Sequence, residues 1–141
     1  MKKKTYKNQQ IVYWLLYDFA NTSYSLMITT LTFAMYYKMI VVPNAEYGDF
    51  FWGLIVSISM AIVAIISPML GAIADYSSRK KRFLRIFTLM SVLFTGLLFF
   101  ATERNFLLSS IFFILSNIGF QSGLVFYNSF LPQLTPPKTR G

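Results

Sequence analysis

Charge is missing from four long stretches of this 141-residue chain: Phe19 to Tyr37, Phe50 to Ala74, Ile86 to Thr102 and Phe106 to Pro137. Phe83 and Leu84 extend the third across Arg85. Each stretch is close to the ~20 apolar residues that an α-helix needs to cross a ~30 Å hydrocarbon core. Four spans follow, at about 12–37, 50–74, 83–102 and 106–131. Membrane β-strands would show ~10-residue segments of alternating polarity, and these runs are longer and apolar on most faces. The first run is also too long for the apolar region of a cleaved signal peptide, and no small-x-small cleavage site ends it. The expected fold is an all-α membrane protein with four transmembrane helices. Composition agrees: 55% of residues are apolar, 13% are charged, and mean hydropathy is +0.53. An average soluble domain is roughly 25% charged.

The basic residues orient the spans. Lys2, Lys3, Lys4 and Lys7 precede the first span. Arg79, Lys80, Lys81, Arg82 and Arg85 lie between the second and third, and Lys138 and Arg140 follow the fourth. The other two flanking segments hold only Lys38 and Arg104, beside Glu46, Asp49 and Glu103. Cytoplasmic flanks carry the excess of Lys and Arg. Both termini and the loop between spans two and three are therefore expected in the cytoplasm, most simply at a plasma (inner) membrane, or at a vacuolar one in a eukaryote. The same placement accounts for the net charge of +8 without a nucleic-acid partner. Tyr13, Trp14, Tyr36, Tyr37, Tyr47 and Trp52 fall near the expected interfaces, where amphipathic rings collect.

Two spans carry polar stripes. In the first, Asn21, Thr22, Ser25, Thr29 and Thr32 lie within about 60° of Asp18 at 100° per residue. Lipid penalises such a stripe, so it must face helices or water. A carboxylate inside a span costs at least ~2.5–3.5 kcal/mol on insertion scales. Asp18 is either hydrated near the inner interface or lines a translocation path. In the fourth span, Ser110, Asn117, Gln121 and Asn128 share an arc of about 40°. Their amides suit either a polar solute or hydrogen bonds between helices. Gly119 and Gly123 form a G-x-x-x-G pair on another side, suited to close helix contact. The small residues Gly53, Ser57, Ala64 and Gly71 on span two read as a packing face. Span three is apolar apart from Thr88, Ser91 and Thr95 and is expected to face lipid over much of its surface.

The chain has no cysteine and no histidine. Nearly every zinc site, haem ligation and thiol chemistry need those residues. No catalytic residue, metal site or cofactor is expected, because no nucleophile–base pair can be assembled from the few acids. The sharpest local signal is the loop Gly71-Ala-Ile-Ala-Asp75-Tyr-Ser-Ser-Arg79-Lys80-Lys81-Arg82. Charge-sided anchoring explains its bases but not Asp75 or its spacing from Gly71.

That loop resembles the G-x-x-x-D-x-x-x-R-K-x-R signature of the major facilitator superfamily, with Tyr76 and Ser78 departing from the usual basic residue and glycine. Tyr17-Asp-Phe-Ala-Asn-Thr-Ser-Tyr24 is similar to the Y-D-F-A-N-S-x-Y opening of the first helix in one branch. Phe126-Tyr-Asn-Ser-Phe-Leu-Pro-Gln-Leu134 is similar to the Y-N-x-x-L-P end of that branch's fourth helix. The branch is the vacuolar amino-acid effluxer-like group, related to an autophagy-associated fungal transporter.

The resemblance implies twelve helices in two halves, with the solute path between them. This chain would be the N-terminal part, lacking C-terminal helices or another membrane chain as partner. It also implies that the first and fourth helices line the cavity, with Asp18, Asn21, Thr22, Ser25, Asn117, Gln121 and Asn128 on a path for a small-molecule substrate. Gly71, Asp75, Arg79, Lys80 and Arg82 would form a cytoplasmic latch. The implied function is secondary active transport of a small polar solute, amino acids included. Two alternatives stand beside it: a small four-span multidrug exporter, and a non-transporting membrane subunit. The strong charge bias argues against the dual insertion used by some four-span exporters.

Overall fold

The computed structural model describes residues 2–77 and 79–130, with side chains from residue 12 onward. Ser78, the Leu131–Leu134 end of the fourth-helix motif, and Lys138 and Arg140 lie outside the described residues, as do the side chains of Lys2, Lys3, Lys4 and Lys7. The chain divides into two compact units at Tyr36 and Tyr37.

The first unit is helical in pieces. Helix α1 (Lys2–Tyr24) passes into a π-helical segment, Ser25–Thr30, then a break at Leu31 and a short helix α2 (Thr32–Tyr36). The local sequence explains the interruption. Ile28, Thr29, Thr30 and Thr32 are β-branched and lose rotamer freedom in a helix. The hydroxyls of Thr22, Ser23 and Thr30 bond back to the backbone, while that of Thr32 donates to the Met27 sulfur at 3.4 Å. Thr22 donates to the Asp18 carbonyl at 3.0 Å and Ser23 to that of Phe19 at 2.9 Å. Thr30 reaches the Ser25 carbonyl, five residues back, at 3.0 Å. The Leu31 amide likewise donates to Leu26 at 2.8 Å. Such back-bonding bends helices, and a π turn is one of the identifiable causes of a kink. The expected first span is thus not one continuous α-helix. Its break and the lysines at its start keep it out of the three helical segments that, among the described residues, are individually long and apolar enough to cross a membrane, Ala45–Tyr76, Lys80–Phe100 and Glu103–Asn128.

The second unit contains those three. A π turn (Tyr37–Val41) and a 3₁₀ turn (Ala45–Tyr47) lead into α3 (Gly48–Tyr76). Helices α4 (Lys80–Leu97) and α5 (Phe106–Asn128) follow, joined by two 3₁₀ turns. Helix α3 continues through Pro68. Helix α5 is the central one, packed on α4 along one side and α3 along another.

The packing departs from that of a soluble bundle: polar residues join Ile55, Phe113 and Phe126 in the interior, and large apolar side chains stand outside. Buried side chains include Ser59, Ser91, Ser109, Ser110, Ser116, Asn117 and Ser122, while Ile65 and Phe99 stand 75% and 88% exposed. Lipid gives apolar side chains no reason to hide, so small and polar residues make the helix contacts. The fold is therefore that of an integral membrane protein.

The α4–α5 seam shows the consequence. A Cβ on Gly119 would lie 2.9 Å from the Ser91 amide nitrogen and 3.0 Å from the Phe87 carbonyl oxygen. The backbones approach that closely because position 119 has no side chain. Beside it, the hydroxyls of Thr95 and Ser116 bond at 2.7 Å, and Thr95 also meets the Ser91 carbonyl at 2.7 Å. At one end of the bundle, Phe126 stacks on Phe83 and Phe87 with centroids 5.4 and 5.8 Å apart, over Leu70 and Ala74. At the other, Tyr37 packs against Trp52 and Phe106, at 5.6 and 6.0 Å. Its hydroxyl bonds Ser110 at 2.7 Å. Lys38 pairs with Asp49 at 2.7 Å on the surface nearby.

Candidate functional site

On α1, the residues of the first polar stripe divide by exposure. Asp18 and Thr22 are exposed, while Asn21 and Ser25 are half-buried. Asp18 makes no ion pair among the described residues. The Asn21 amide nitrogen is buried and has no hydrogen-bond partner among them. A buried donor of this kind normally finds an acceptor.

On α5, the expected stripe runs from the interior to the surface. Ser110 and Asn117 are buried, Gln121 is half-buried, and Asn128, the last residue of the helix, is exposed. Asn117 is 0% exposed. Its Nδ2 donates to the Ser59 hydroxyl on α3 at 2.8 Å, and that hydroxyl donates to the Val56 carbonyl at 2.8 Å. The Asn117 carbonyl oxygen is left without a partner among the described residues, as is the buried Ser122 hydroxyl. Ser110 and Asn117 thus tie helices together inside the second unit. The glue reading of these two is what the contacts display, and Gln121 and Asn128 remain the outward half of the stripe.

Gly119 and Gly123 are both buried on α5, and Gly119 faces α4 within the same chain. The small face of α3 behaves differently. Gly53, Ser57 and Ala64 are exposed, and a Cβ on Gly53 or Gly71 would meet nothing within 4 Å. The packing expected of that face does not occur against the described residues.

In the expected latch, Gly71 is half-buried near the end of α3, and Asp75 sits exposed next to its last residue. Arg79 and Arg82 are exposed and Lys80 is half-buried at the start of α4. No ion pair joins Asp75 to these bases among the described residues. The Arg79 amide donates to the Ser77 hydroxyl at 3.0 Å, which shapes the turn between the helices.

Three contact residues escaped the sequence reading. Ser59 is a lone hydroxyl in an apolar helix, off the small face, and nothing local pairs it with Asn117. Tyr37 reads as an interfacial aromatic but is fully buried. Ser116 lies between the two α5 patterns and belongs to neither.

Comparison with known proteins decides the family. The model of the vacuole effluxer Atg22-like family matches residues 50–140. The chain belongs to the Atg22-like vacuole effluxer family. Its kinship with an MFS-type transporter places it in the major facilitator superfamily. It is 38% identical over 128 residues to the uncharacterized MFS-type transporter YxiO of Bacillus subtilis, covering 89% of this chain and 30% of the relative. It is 38% identical over 78 residues to autophagy-related protein 22 of Coccidioides immitis, covering 55% of this chain and 13% of that protein. Autophagy-related protein 22-1 of Aspergillus niger matches over the same length with the same identity. This Atg22-like chain therefore spans less than a third of any of these three relatives. No solved structure matches it significantly.

The family model covers α3, α4 and α5 and leaves out the first unit. The Bacillus relative covers more, since 89% of the chain cannot fit within the second unit alone. The transporter kinship thus rests on both units.

Proposed function

We propose that this chain supplies the first four helices of a secondary transporter that moves a small polar solute, with amino acids as the substrate class. The observation that carries the reading is the 128-residue match to an MFS-type transporter. Four helices of a twelve-helix fold are about a third of its length, which suits the 30% coverage of that relative. The family's description as vacuole effluxers supports outward movement of solute. The amino-acid class follows from the resemblance of the first and fourth helices to the effluxer branch.

The polar stripes support a polar cargo. Asn21 keeps a buried amide nitrogen without a partner among the described residues, and Asp18 offers an exposed carboxylate on α1. An intramembrane acid suits the counter-charge of an ammonium group or a proton carrier. The charge bias supports both termini in the cytoplasm. Gly71, Asp75, Arg79, Lys80 and Arg82 would latch the cytoplasmic side against helices beyond this chain, through charge-assisted hydrogen bonds that favour one access state.

The test uses the chain alone and a chimera in which it replaces the matching stretch of the Bacillus relative. Both are reconstituted in vesicles and assayed for flux of labelled amino acids. The chimera should carry flux and the chain alone should not. A folded, inserted chimera that moves no amino acid would remove that substrate class. Flux from the chain alone would remove the need for further helices.

A further inference from the structure

Helix α4 has two sides that the folded chain separates cleanly. Taking Arg85 as zero and 100° per residue, Lys81, Arg82, Ile86, Leu89, Val92 and Leu93 all fall in an arc from about −40° to +100°. Every one of them is exposed, with Leu89 at 67%, Val92 at 63% and Leu93 at 60%. The remaining arc holds Phe83, Phe87, Ser91 and Thr95, which make the contacts with α5. The outward arc is thus a stripe with three bases at its N-terminal end and bare aliphatic side chains over the next two turns.

No acid neutralises these bases among the described residues. Among the described residues Lys38–Asp49 is the one ion pair, so Lys81, Arg82 and Arg85 make none. Arg85 spends its Nε on the Lys81 carbonyl at 3.4 Å and keeps its other donors. They also stand at the wrong end of the helix. The N-terminus of α4 carries the positive pole of its dipole, has no acidic residue in its first turn and no side-chain cap. Cations are disfavoured there and anions favoured. An anion beside Lys81 and Arg85 would offset both the mutual repulsion and the dipole.

The apolar half selects the kind of anion. A free phosphate would use only the bases. A phospholipid lying beside the helix would use the whole stripe: headgroup at the three bases, acyl chain along Leu89, Val92 and Leu93. We propose that this face of α4 binds one anionic phospholipid in the leaflet at the helix's N-terminal end, with the phosphate held by Lys81, Arg82 and Arg85. The inference rests on the membrane-spanning fold; it shares Arg82 with the proposed latch and otherwise makes no use of the transport reading.

The test is retention of lipid by the purified full chain, measured by native mass spectrometry from nanodiscs of mixed phosphatidylglycerol and phosphatidylcholine. The chain should keep one phosphatidylglycerol in preference to phosphatidylcholine. A juxtamembrane base contributes about a fivefold gain in affinity for anionic lipid. The triple substitution Lys81→Gln/Arg82→Gln/Arg85→Gln should therefore weaken retention about 100-fold. Should that variant fail to insert, Arg85→Gln alone keeps four loop bases for orientation and should weaken retention about fivefold. Lys2→Gln/Lys3→Gln/Lys4→Gln removes as much charge elsewhere and should leave the bound lipid in place. Added inorganic phosphate should not displace it. Equal retention of both lipids, equal loss in the two triple variants, or displacement by phosphate would overturn the proposal.

Discussion

Gly119→Ala is the substitution in which two opposing effects can be weighed from the geometry. In an isolated helix, Ala in place of Gly stabilises by about 1 kcal/mol. At position 119 the new methyl would sit 2.9 Å from the Ser91 nitrogen, 3.0 Å from the Phe87 oxygen and 3.2 Å from the Ser91 Cα. All three are backbone atoms of α4, so no side chain can turn aside. The helices must separate by about half an ångström to restore ordinary contact, and overpacking of this kind costs ~1–3 kcal/mol. The separation would also stretch the 2.7 Å Thr95–Ser116 hydrogen bond, of a kind worth ~0.6 kcal/mol between membrane helices. Packing outweighs propensity, leaving a net loss of about 1–2 kcal/mol. Gly96→Ala is the control, since a Cβ there meets nothing within 4 Å. That variant should be neutral or more stable by up to about 1 kcal/mol. Reversible unfolding of both variants in detergent micelles, followed by helical circular dichroism, gives the two signs. A Gly119→Ala chain as stable as the parent, or a Gly96→Ala chain equally weakened, would refute the close-packing argument.

Reporter fusions after Lys7, Lys80 and Lys138 should report cytoplasm, and fusions after Asn44 and Arg104 the outside; a reversed signal from the loop at Lys80 would break the orientation. Ser59→Ala should cost about 1 kcal/mol of stability by stranding the Asn117 amide. A double-mutant cycle with Asn117→Ala should give a coupling of ~0.6–1.7 kcal/mol, and zero coupling would mean that the bond contributes nothing. In the vesicle chimera, Asp18→Asn should insert normally and lose at least about tenfold in initial flux, as expected for an intramembrane acid on a solute path. Unchanged flux would leave Asp18 as a hydrated interfacial residue.

Much of this protein was legible along the chain because bilayer thickness acts on sequence directly. A charge-free run of about 20 residues reports a helix wherever its neighbours lie. The runs that became α3, α4 and α5 needed no tertiary knowledge, nor did the motifs of the family. The polar stripe of α5 was legible as a stripe but not as a role. Asn117 and Asn128 share one face by angle, yet one is sealed against Ser59 and the other is exposed. Which happens depends on where the neighbouring helix ends its contact, and no local pattern carries that.

The remaining particulars were decided only in three dimensions. The sequence determines that Gly119 lacks a side chain; only the approach of Ser91 and Phe87 makes that absence necessary. Gly53 and Gly71 have the same composition signal and meet open space. The hydroxyls of the first span are visible to any reader, but their back-bonds to carbonyls four and five residues away turn a smooth span into α1, a π-helical segment and α2. Hydrophobic length is a property of one segment and is written in its residues. Helix contact in lipid depends on two surfaces matching to within a few tenths of an ångström, and a single chain order records only one surface at a time.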